Sequence, residues 1–308
     1  MNIENIFWKP SERRIRAGWR LVLYWIAFFM AQFGLTLVLG VVGVILLLLQ
    51  GGMDFDPAAI MSSPVVLFMS GLIGLFATVP LTWAFGRWID WRKFSDFGLK
   101  LNKDWWIDLF FGLLLGAVLM LGIFLVEKQL GWLEVIPREA VWTWSNFYRW
   151  IFRALILFIA VGFYEELLFR GYLIKNLSEG LHAKLSARIS VAISLVVTAA
   201  IFGIAHATNP NATFVSSFNI ALAGVFLGLG YLLNNKLAIP IGLHITWNFF
   251  QGNVFGWPVS GTNAGLSFIT IQQLGPNGWT GGNFGPEAGY IGLFAMLVGS
   301  ILTIAYLL

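Results

Sequence analysis

The sequence predicts an all-α membrane protein, a polytopic helical bundle of about eight transmembrane helices. Of its 308 residues, 58% are hydrophobic and only 11% are charged, whereas a soluble domain carries about 25% charged residues. The mean hydropathy is +0.79, and the apolar runs come close to the roughly 20 residues that a helix needs to cross a bilayer. These observations exclude a soluble globular domain, and we expect a single membrane domain over residues 1–308.

Each predicted span is an apolar run bounded by charged or Gly- and Pro-containing segments. The spans are predicted at 21–47, 64–86, 107–126, 149–170, 188–208, 216–233, 238–256 and 288–308. The run that follows Arg20 carries no charge as far as Asp54, which is too long for the apolar core of a signal peptide, so we expect an uncleaved first span. Two Gly-x-x-x-Gly motifs, at 112–116 and 224–228, have the spacing of close helix contacts.

The Lys and Arg residues lie mostly on one side of the predicted spans. Of the 19, 15 fall in the N-terminal segment, the 87–106 loop, the 170–188 connection and at Lys236. Cytoplasmic loops are enriched in Lys and Arg, so both termini are predicted to be cytoplasmic. The net charge of +4 is therefore spread between apolar segments, and no nucleic-acid partner is expected.

The stretch Tyr164–Gly171 places two glutamates and an arginine at the end of an apolar run. Each ionisable residue in a membrane span costs roughly 2.5–3.5 kcal/mol on insertion scales, so a group of them is a functional-site hypothesis. Glu166 and Arg170 are four residues apart with the acid first, the favourable order for a helical ion pair. Glu165 is turned about 100° away and is predicted to be free for chemistry. The structural alternative is a charged helix end at the lipid headgroups.

Only three histidines occur. His182 is predicted to lie in a solvated loop, and His206 ends the fifth span. His244 lies in the seventh span, with Asn248 one turn further on the same helix face. Taken alone, His206 or His244 is as readily explained as a hydrogen-bonded core residue. Together with the glutamates they concentrate the intramembrane ionisable groups in three spans, which favours a functional site.

Missing motifs exclude several classes of hydrolase. The absence of cysteine excludes disulfides, thiolate ligands and a cysteine nucleophile. The sequence has no His-Glu-x-x-His and no Gly-x-Ser-x-Gly, and its aspartates are confined to loops and span ends. Glutamate, two histidines and an asparagine remain. A carboxylate in an apolar pocket is a general base for water, and imidazole and carboxamide groups stabilise an oxyanion, which is the chemistry of amide hydrolysis.

Three short motifs occur in a characteristic order: Glu-Glu-x-x-x-Arg-Gly at 165–171, Phe-x-x-x-His at 202–206 and His-x-x-x-Asn at 244–248. This order resembles the CAAX-protease and bacteriocin-processing (CPBP, or Abi) family of intramembrane endopeptidases, over about 150–255. The segment 281–287 looks like a tail common in bacterial members, so we expect a bacterial plasma membrane. The resemblance implies a peptidase whose partners are the lipid bilayer and a membrane-associated protein or peptide substrate.

The resemblance also implies roles for the matching residues. The predicted site comprises Glu165, Glu166, Arg170, His206, His244 and Asn248. Glu165, assisted by His206, is expected to activate water, while His244 and Asn248 hold the carbonyl oxygen. Two accounts of the cofactor remain open. Either no cofactor is required, or a divalent metal, zinc, is held by Glu165, His206 and His244 with one open position.

Two other functions compete with the endopeptidase. A catalytically inactive membrane binding or immunity protein has no chemical need for Glu165. An ion-coupled transporter would use the same polar residues as an ion path, but it should show paired broken helices in two halves, and the sequence shows none. The intact motifs therefore favour the enzyme.

One distance constrains the predicted site. His206 lies 18 residues past Arg188, or about 27 Å along a helix, whereas Glu165 lies near the cytoplasmic end of the fourth span. The two side chains meet only if the fourth helix extends past Leu177 or the fifth helix begins outside the bilayer. We expect the former, which places Glu165 deeper in the membrane than hydropathy suggests.

Overall fold

The computed structural model describes residues 4–10, 12–49, 64–137 and 144–308, and it confirms the all-α polytopic bundle. The helices are α1 (Glu4–Phe7), α2 (Ala17–Leu49), α3 (Pro64–Phe85), α4 (Lys103–Gln129), α5 (Trp144–Glu166), α6 (Lys175–His182), α7 (Ala187–Ala205), α8 (Phe214–Asn234), α9 (Ala238–Phe249), α10 (Asn277–Thr280) and α11 (Tyr290–Leu307). Two short antiparallel pairs accompany them, β1 (Trp8–Lys9) with β2 (Arg14–Ile15) and β3 (Leu133–Ile136) with β4 (Thr270–Gln273). The predicted loop between the first two spans falls outside the described residues. So does Arg138, one of the four Lys and Arg residues that do not lie on the predicted cytoplasmic side.

Six stretches of the described chain are long and apolar enough to cross a membrane. They are Ala17–Ile45, Val65–Asp90, Lys103–Gln129, Ala187–Ala205, Phe214–Asn234 and Tyr290–Leu307. The remaining two predicted spans are also helical, but neither is among these six long apolar stretches. The span at 149–170 lies on α5, whose polar residues interrupt the apolar run. The span at 238–256 lies on α9, which has 12 residues before a π-helical turn at Phe250–Val254. These two helices carry most of the candidate site.

The fourth span does not end at Glu166. It continues through a π-helical segment, Leu167–Ile174, and then through α6 as far as His182. The prediction that this helix passes Leu177 is therefore confirmed. π-Helical turns inside α-helices occur frequently at functional sites. Here every residue of the segment is buried, so the helix carries Arg170 through the interior of the bundle.

Close helix packing holds α9 against α4. A Cβ atom on Gly112 would lie 2.4 Å from the Ile239 carbonyl oxygen, and one on Gly116 would lie 2.6 Å from the Leu243 oxygen. Only glycine permits this approach, as in other small-residue helix contacts. Because the Leu243 contact lies one residue before His244, the first Gly-x-x-x-Gly motif fixes the position of that histidine.

Buried ion pairs tie α6 to the beginning of α2 and the end of α3. The fully buried Arg20 guanidinium lies 2.5 Å from the Asp90 carboxylate and 2.6 Å from that of Glu179. Arg14 and Arg92 contact Glu179 as well. Buried charges need such partners to offset their desolvation. The network anchors the extension of the α5–α6 helix and thereby the glutamates upstream of it.

Candidate active site

The predicted ion pair between Glu166 and Arg170 is present and buried. Nη1 of Arg170 donates to Oε1 of Glu166 at 2.9 Å, and the two side chains are 2% and 0% exposed. Nη2 of Arg170 donates to the Gly224 carbonyl oxygen on α8 at 2.9 Å. The guanidinium also lies over the Phe202 ring, 4.7 Å from its centre, a cation–π contact. Arg170 therefore joins α5, α7 and α8 around Glu166.

His244 on α9 lies between the two glutamates. Its Nδ1 is 2.8 Å from Oε1 of Glu166, and its Nε2 is 3.8 Å from Oε2 of Glu165. An ionised carboxylate only accepts hydrogen bonds, so the network assigns a proton to Nδ1. Both glutamates of the adjacent pair therefore approach one imidazole ring. Adjacent helical residues diverge by about 100°, but an imidazole with nitrogens on opposite sides reaches both.

Glu165 has one carboxylate oxygen held and one available. Oε1 accepts a hydrogen bond from the Tyr164 hydroxyl at 3.1 Å. Oε2 is buried and takes no hydrogen bond from the described residues, although it faces His244. Burying a polar atom without a partner costs free energy, so such an atom in a cavity indicates a position where water or a substrate group binds.

His206 caps the C-terminal end of α7. Its Nδ1 lies 2.8 Å from the Phe202 carbonyl oxygen, and because a carbonyl only accepts, Nδ1 carries the proton. Nε2 is then the nitrogen left for the cavity. The helix that delivers it begins at an N-cap, where the Ser186 side chain accepts from the Ile189 backbone N–H, a common start signal.

One cavity of about 590 Å³ brings the predicted residues together. It is lined by Glu165, His206, His244 and Asn248, and also by apolar residues of α2 and α3 that include Trp25, Phe28, Phe29 and Leu67. Glu166 and Arg170 lie behind His244. Glu166 contacts the His244 ring, and Arg170 contacts Glu166. His182 is exposed at the end of α6, away from this group. The cavity therefore combines a polar centre with an apolar approach.

Further polar residues line the cavity and were not predicted as site residues, among them Tyr164, Asn209, Ser260 and Glu287. Tyr164 directly precedes Glu165, so adjacency was the available signal. Glu287 lies in the segment 281–287, just before the last span, where a lone glutamate beside an apolar run was the signal. Burial raises the pKa of Glu287 to about 7. No local pattern distinguishes Ser260 from other loop serines.

The zinc account requires Glu165, His206 and His244 to converge at ligand distances. Among the described residues, no three His, Cys, Asp or Glu side chains are grouped closely enough to hold a metal ion. In addition, Oε1 of Glu165 is held by Tyr164. The donor set does not fit a three-ligand zinc site, in which nitrogen and oxygen ligands lie about 2.0–2.2 Å from the metal.

Comparison with known families gives one match. Residues 147–250 match the family model described as "Type II CAAX prenyl endopeptidase Rce1-like". No curated protein and no solved structure gives a significant match. The matched segment contains all six predicted site residues, whereas Glu287 and Ser260 lie outside it.

Proposed function

The chain belongs to the CAAX-protease (CPBP) family through residues 147–250, and from this we propose that Glu165 activates the water by which the protein hydrolyses a peptide bond of a membrane-associated protein or peptide. One observation carries the proposal. The buried Oε2 of Glu165 has no hydrogen bond from the described residues and lies 3.8 Å from Nε2 of His244, inside a cavity of about 590 Å³. A base and an electrophilic group thus face the same space.

The first step of the proposed reaction is attack by water on the scissile carbonyl carbon. Oε2 of Glu165 takes a proton from the water as the new C–O bond forms. Nε2 of His206, the nitrogen not bound to Phe202, accepts the second hydrogen of the water and orients it. The carbonyl electron pair moves onto oxygen, and the resulting oxyanion accepts hydrogen bonds from His244 and Asn248.

The position of His244 between the two glutamates explains how it serves both. The proposed reaction uses a proton on each of its ring nitrogens, with the Arg170 guanidinium as the fixed cation beside Glu166. The Nδ1–H of His244 donates to Glu166, and its Nε2–H faces first Glu165 and then the oxyanion. Because Glu165 becomes neutral as the oxyanion forms, the negative charge moves a short distance beside a fixed cation. Collapse of the intermediate breaks the C–N bond, and Glu165 gives its proton to the leaving amine.

The apolar approach to the cavity supports a membrane-associated substrate. Trp25, Phe28 and Phe29 on α2 and Leu67 on α3 line the same cavity as Glu165. Polar peptides gain little from such walls, whereas a lipid-modified or transmembrane segment can pass from the bilayer to the cavity without leaving apolar surroundings. We therefore extend the proposal to a prenylated peptide, the substrate class in the description of the matched family.

We propose the membrane location and the orientation of the protein from the distribution of Lys and Arg and from the family resemblance. The Lys and Arg distribution favours cytoplasmic termini, and the tail at 281–287 favours a bacterial plasma membrane. The protein then acts as one membrane domain over residues 1–308, with the catalytic core at about 150–255.

A cleavage assay tests the proposed function. The full-length protein in liposomes is expected to cleave a farnesylated peptide carrying a C-terminal CAAX sequence, at a bond that mass spectrometry identifies. The unmodified peptide is the control, and it should be cleaved more slowly because it buries less apolar area. Comparison of protein termini in membranes from cells with wild type or Glu165→Gln then identifies native substrates. If neither the peptides nor any native terminus depends on Glu165, the proposed function is wrong.

Metal analysis separates the two cofactor accounts. Because the candidate ligands are not grouped as a zinc site, we expect purified protein to hold well under one equivalent of zinc and to retain activity in chelator. The measurement is elemental analysis together with cleavage rates before and after chelation. Stoichiometric zinc, with activity lost in chelator and restored by added metal, would reverse this choice.

A further inference from the structure

Glu287 is a buried carboxylate that the proposed reaction does not use, although it lines the catalytic cavity. It is 3% exposed. Its Oε1 accepts from the Ser260 backbone N–H at 2.5 Å and from the Ser260 hydroxyl at 3.1 Å. Its Oε2 accepts from Nε2 of Gln251, on the π-helical turn that follows α9. One side chain thereby joins the turn just before the last span, the end of α9 and the loop that contains Ser260.

The loop at Ser260 adopts a conformation that requires such support. Ser260 has φ 46°, the left-handed region that side-chain-bearing residues rarely occupy. The next residue, Gly261, has φ 82°, and a Cβ atom there would lie 1.8 Å from the Pro210 carbonyl oxygen. The loop is therefore pressed directly against the turn that follows α7. Strained backbone of this kind persists where the surrounding structure holds it.

The same turn begins at His206. The Asn209 side-chain amide donates to the Ser260 carbonyl oxygen at 2.9 Å, and the Asn209 backbone N–H donates to the His206 carbonyl oxygen at 3.1 Å. Glu287, Ser260, Asn209 and His206 thus form an unbroken chain of hydrogen bonds. It ends at a histidine whose ring lines the cavity.

We propose that Glu287 is a positioning residue, which acts through Ser260 and Asn209 to fix His206 in the catalytic cavity. The inference rests on the proposed function, because His206 orients the water there. It adds a contribution from outside residues 147–250, the segment that matches the family. The turn just before the last span is then part of the active-site architecture.

The test uses the histidines as reporters. The chain contains only His182, His206 and His244, so ¹⁵N-histidine labelling of the full-length protein in lipid nanodiscs gives three pairs of ring-nitrogen signals, assigned by single His→Gln variants. Glu287→Gln keeps the size of the side chain but places an amide NH2 against Nε2 of Gln251. Because both groups are donors, the native hydrogen bond between the two side chains is lost. Glu127→Gln is the matched control, because Glu127 is fully buried and its Oε2 accepts from Nε2 of Gln273 at 2.9 Å.

Glu287→Gln is expected to shift the His206 signals and leave His182 unchanged, whereas Glu127→Gln leaves all three pairs of signals in place. In the cleavage assay Glu287→Gln should lower kcat about 10- to 100-fold, since a displacement near 1 Å costs that order of rate, with KM nearly unchanged. An unshifted His206 signal, or an equal shift from Glu127→Gln, would overturn the proposal. The NMR result does not depend on peptidase activity, so it separates this inference from the proposed function.

Asn209→Ala provides a second variant if Glu287→Gln does not fold. It removes the side-chain link to the Ser260 carbonyl oxygen and leaves the Glu287 carboxylate intact. The same His206 shift is expected, and the double variant should shift that signal no further than the larger single change, because both act along one path. Additive shifts would show that Glu287 and Asn209 act independently, which contradicts the proposed chain.

Discussion

Replacing Glu165 with glutamine is expected to abolish peptide hydrolysis and leave the fold intact. The amide oxygen of glutamine still accepts a hydrogen bond from the Tyr164 hydroxyl, which lies 3.1 Å from Oε1 in the native protein. The other oxygen has no hydrogen bond from the described residues, so its replacement breaks no hydrogen bond among them. What is lost is the acceptor of the water proton. A positioned general base contributes roughly 10²- to 10⁴-fold to rate, so kcat should fall by that factor.

Two measurements on the same preparations separate catalysis from folding. Cleavage of the farnesylated peptide gives kcat, and the intrinsic fluorescence of the 15 tryptophans gives the unfolding temperature. Glu134→Gln is the control, because Glu134 is exposed on β3 and should retain full activity. If Glu165→Gln kept more than about a tenth of the wild-type rate, a factor far below that of a lost general base, another group would have to activate the water.

The sequence predicts the helical class, and four of the residues that it singles out, Glu165, His206, His244 and Asn248, line one cavity. Charges inside apolar runs are costly, so Glu165, Glu166 and Arg170 were conspicuous without any knowledge of the fold. Helical spacing predicted the Glu166–Arg170 pair. Helix rise left two ways for Glu165 and His206 to meet, and the expected one, a fourth helix that passes Leu177, is present. Each of these depends on local geometry, which the amino-acid sequence encodes directly.

The relations between distant segments were not predictable in the same way. Nothing local indicates that Nδ1 of His244 turns towards Glu166, because that contact depends on how closely α9 approaches α4 at its glycines. The part played by Glu287 is still more remote, since the contact joins residues 27 positions apart, across a loop in an unusual backbone conformation. The residues of a cavity wall formed by such loops are identified only from the folded structure.

Replacing Glu166 with glutamine is expected to destabilise the protein and to lower its activity, in contrast to the change at Glu165. Glu166 is the carboxylate partner of Arg170 at 2.9 Å, and both are buried. Removing one member of a buried ion pair costs roughly 3–5 kcal/mol because the other charge is left without its counterion. The glutamine oxygen retains one hydrogen bond to Arg170, so we expect the lower end of that range. Denaturant unfolding followed by tryptophan fluorescence measures the loss.

The activity loss has a separate cause at His244. Nδ1 of His244 donates to Glu166, and a glutamine that uses its oxygen for Arg170 turns its NH2 towards that nitrogen. A donor facing Nδ1 leaves the Nδ1–H without an acceptor and misaligns the ring, and a displacement near 1 Å costs up to about 100-fold in rate. The matched comparison is Glu165→Gln, one residue away, which should lose more activity and no stability. Equal destabilisation by the two substitutions would contradict the separate roles assigned to the adjacent carboxylates, one as base and the other as the anchor of Arg170 and His244.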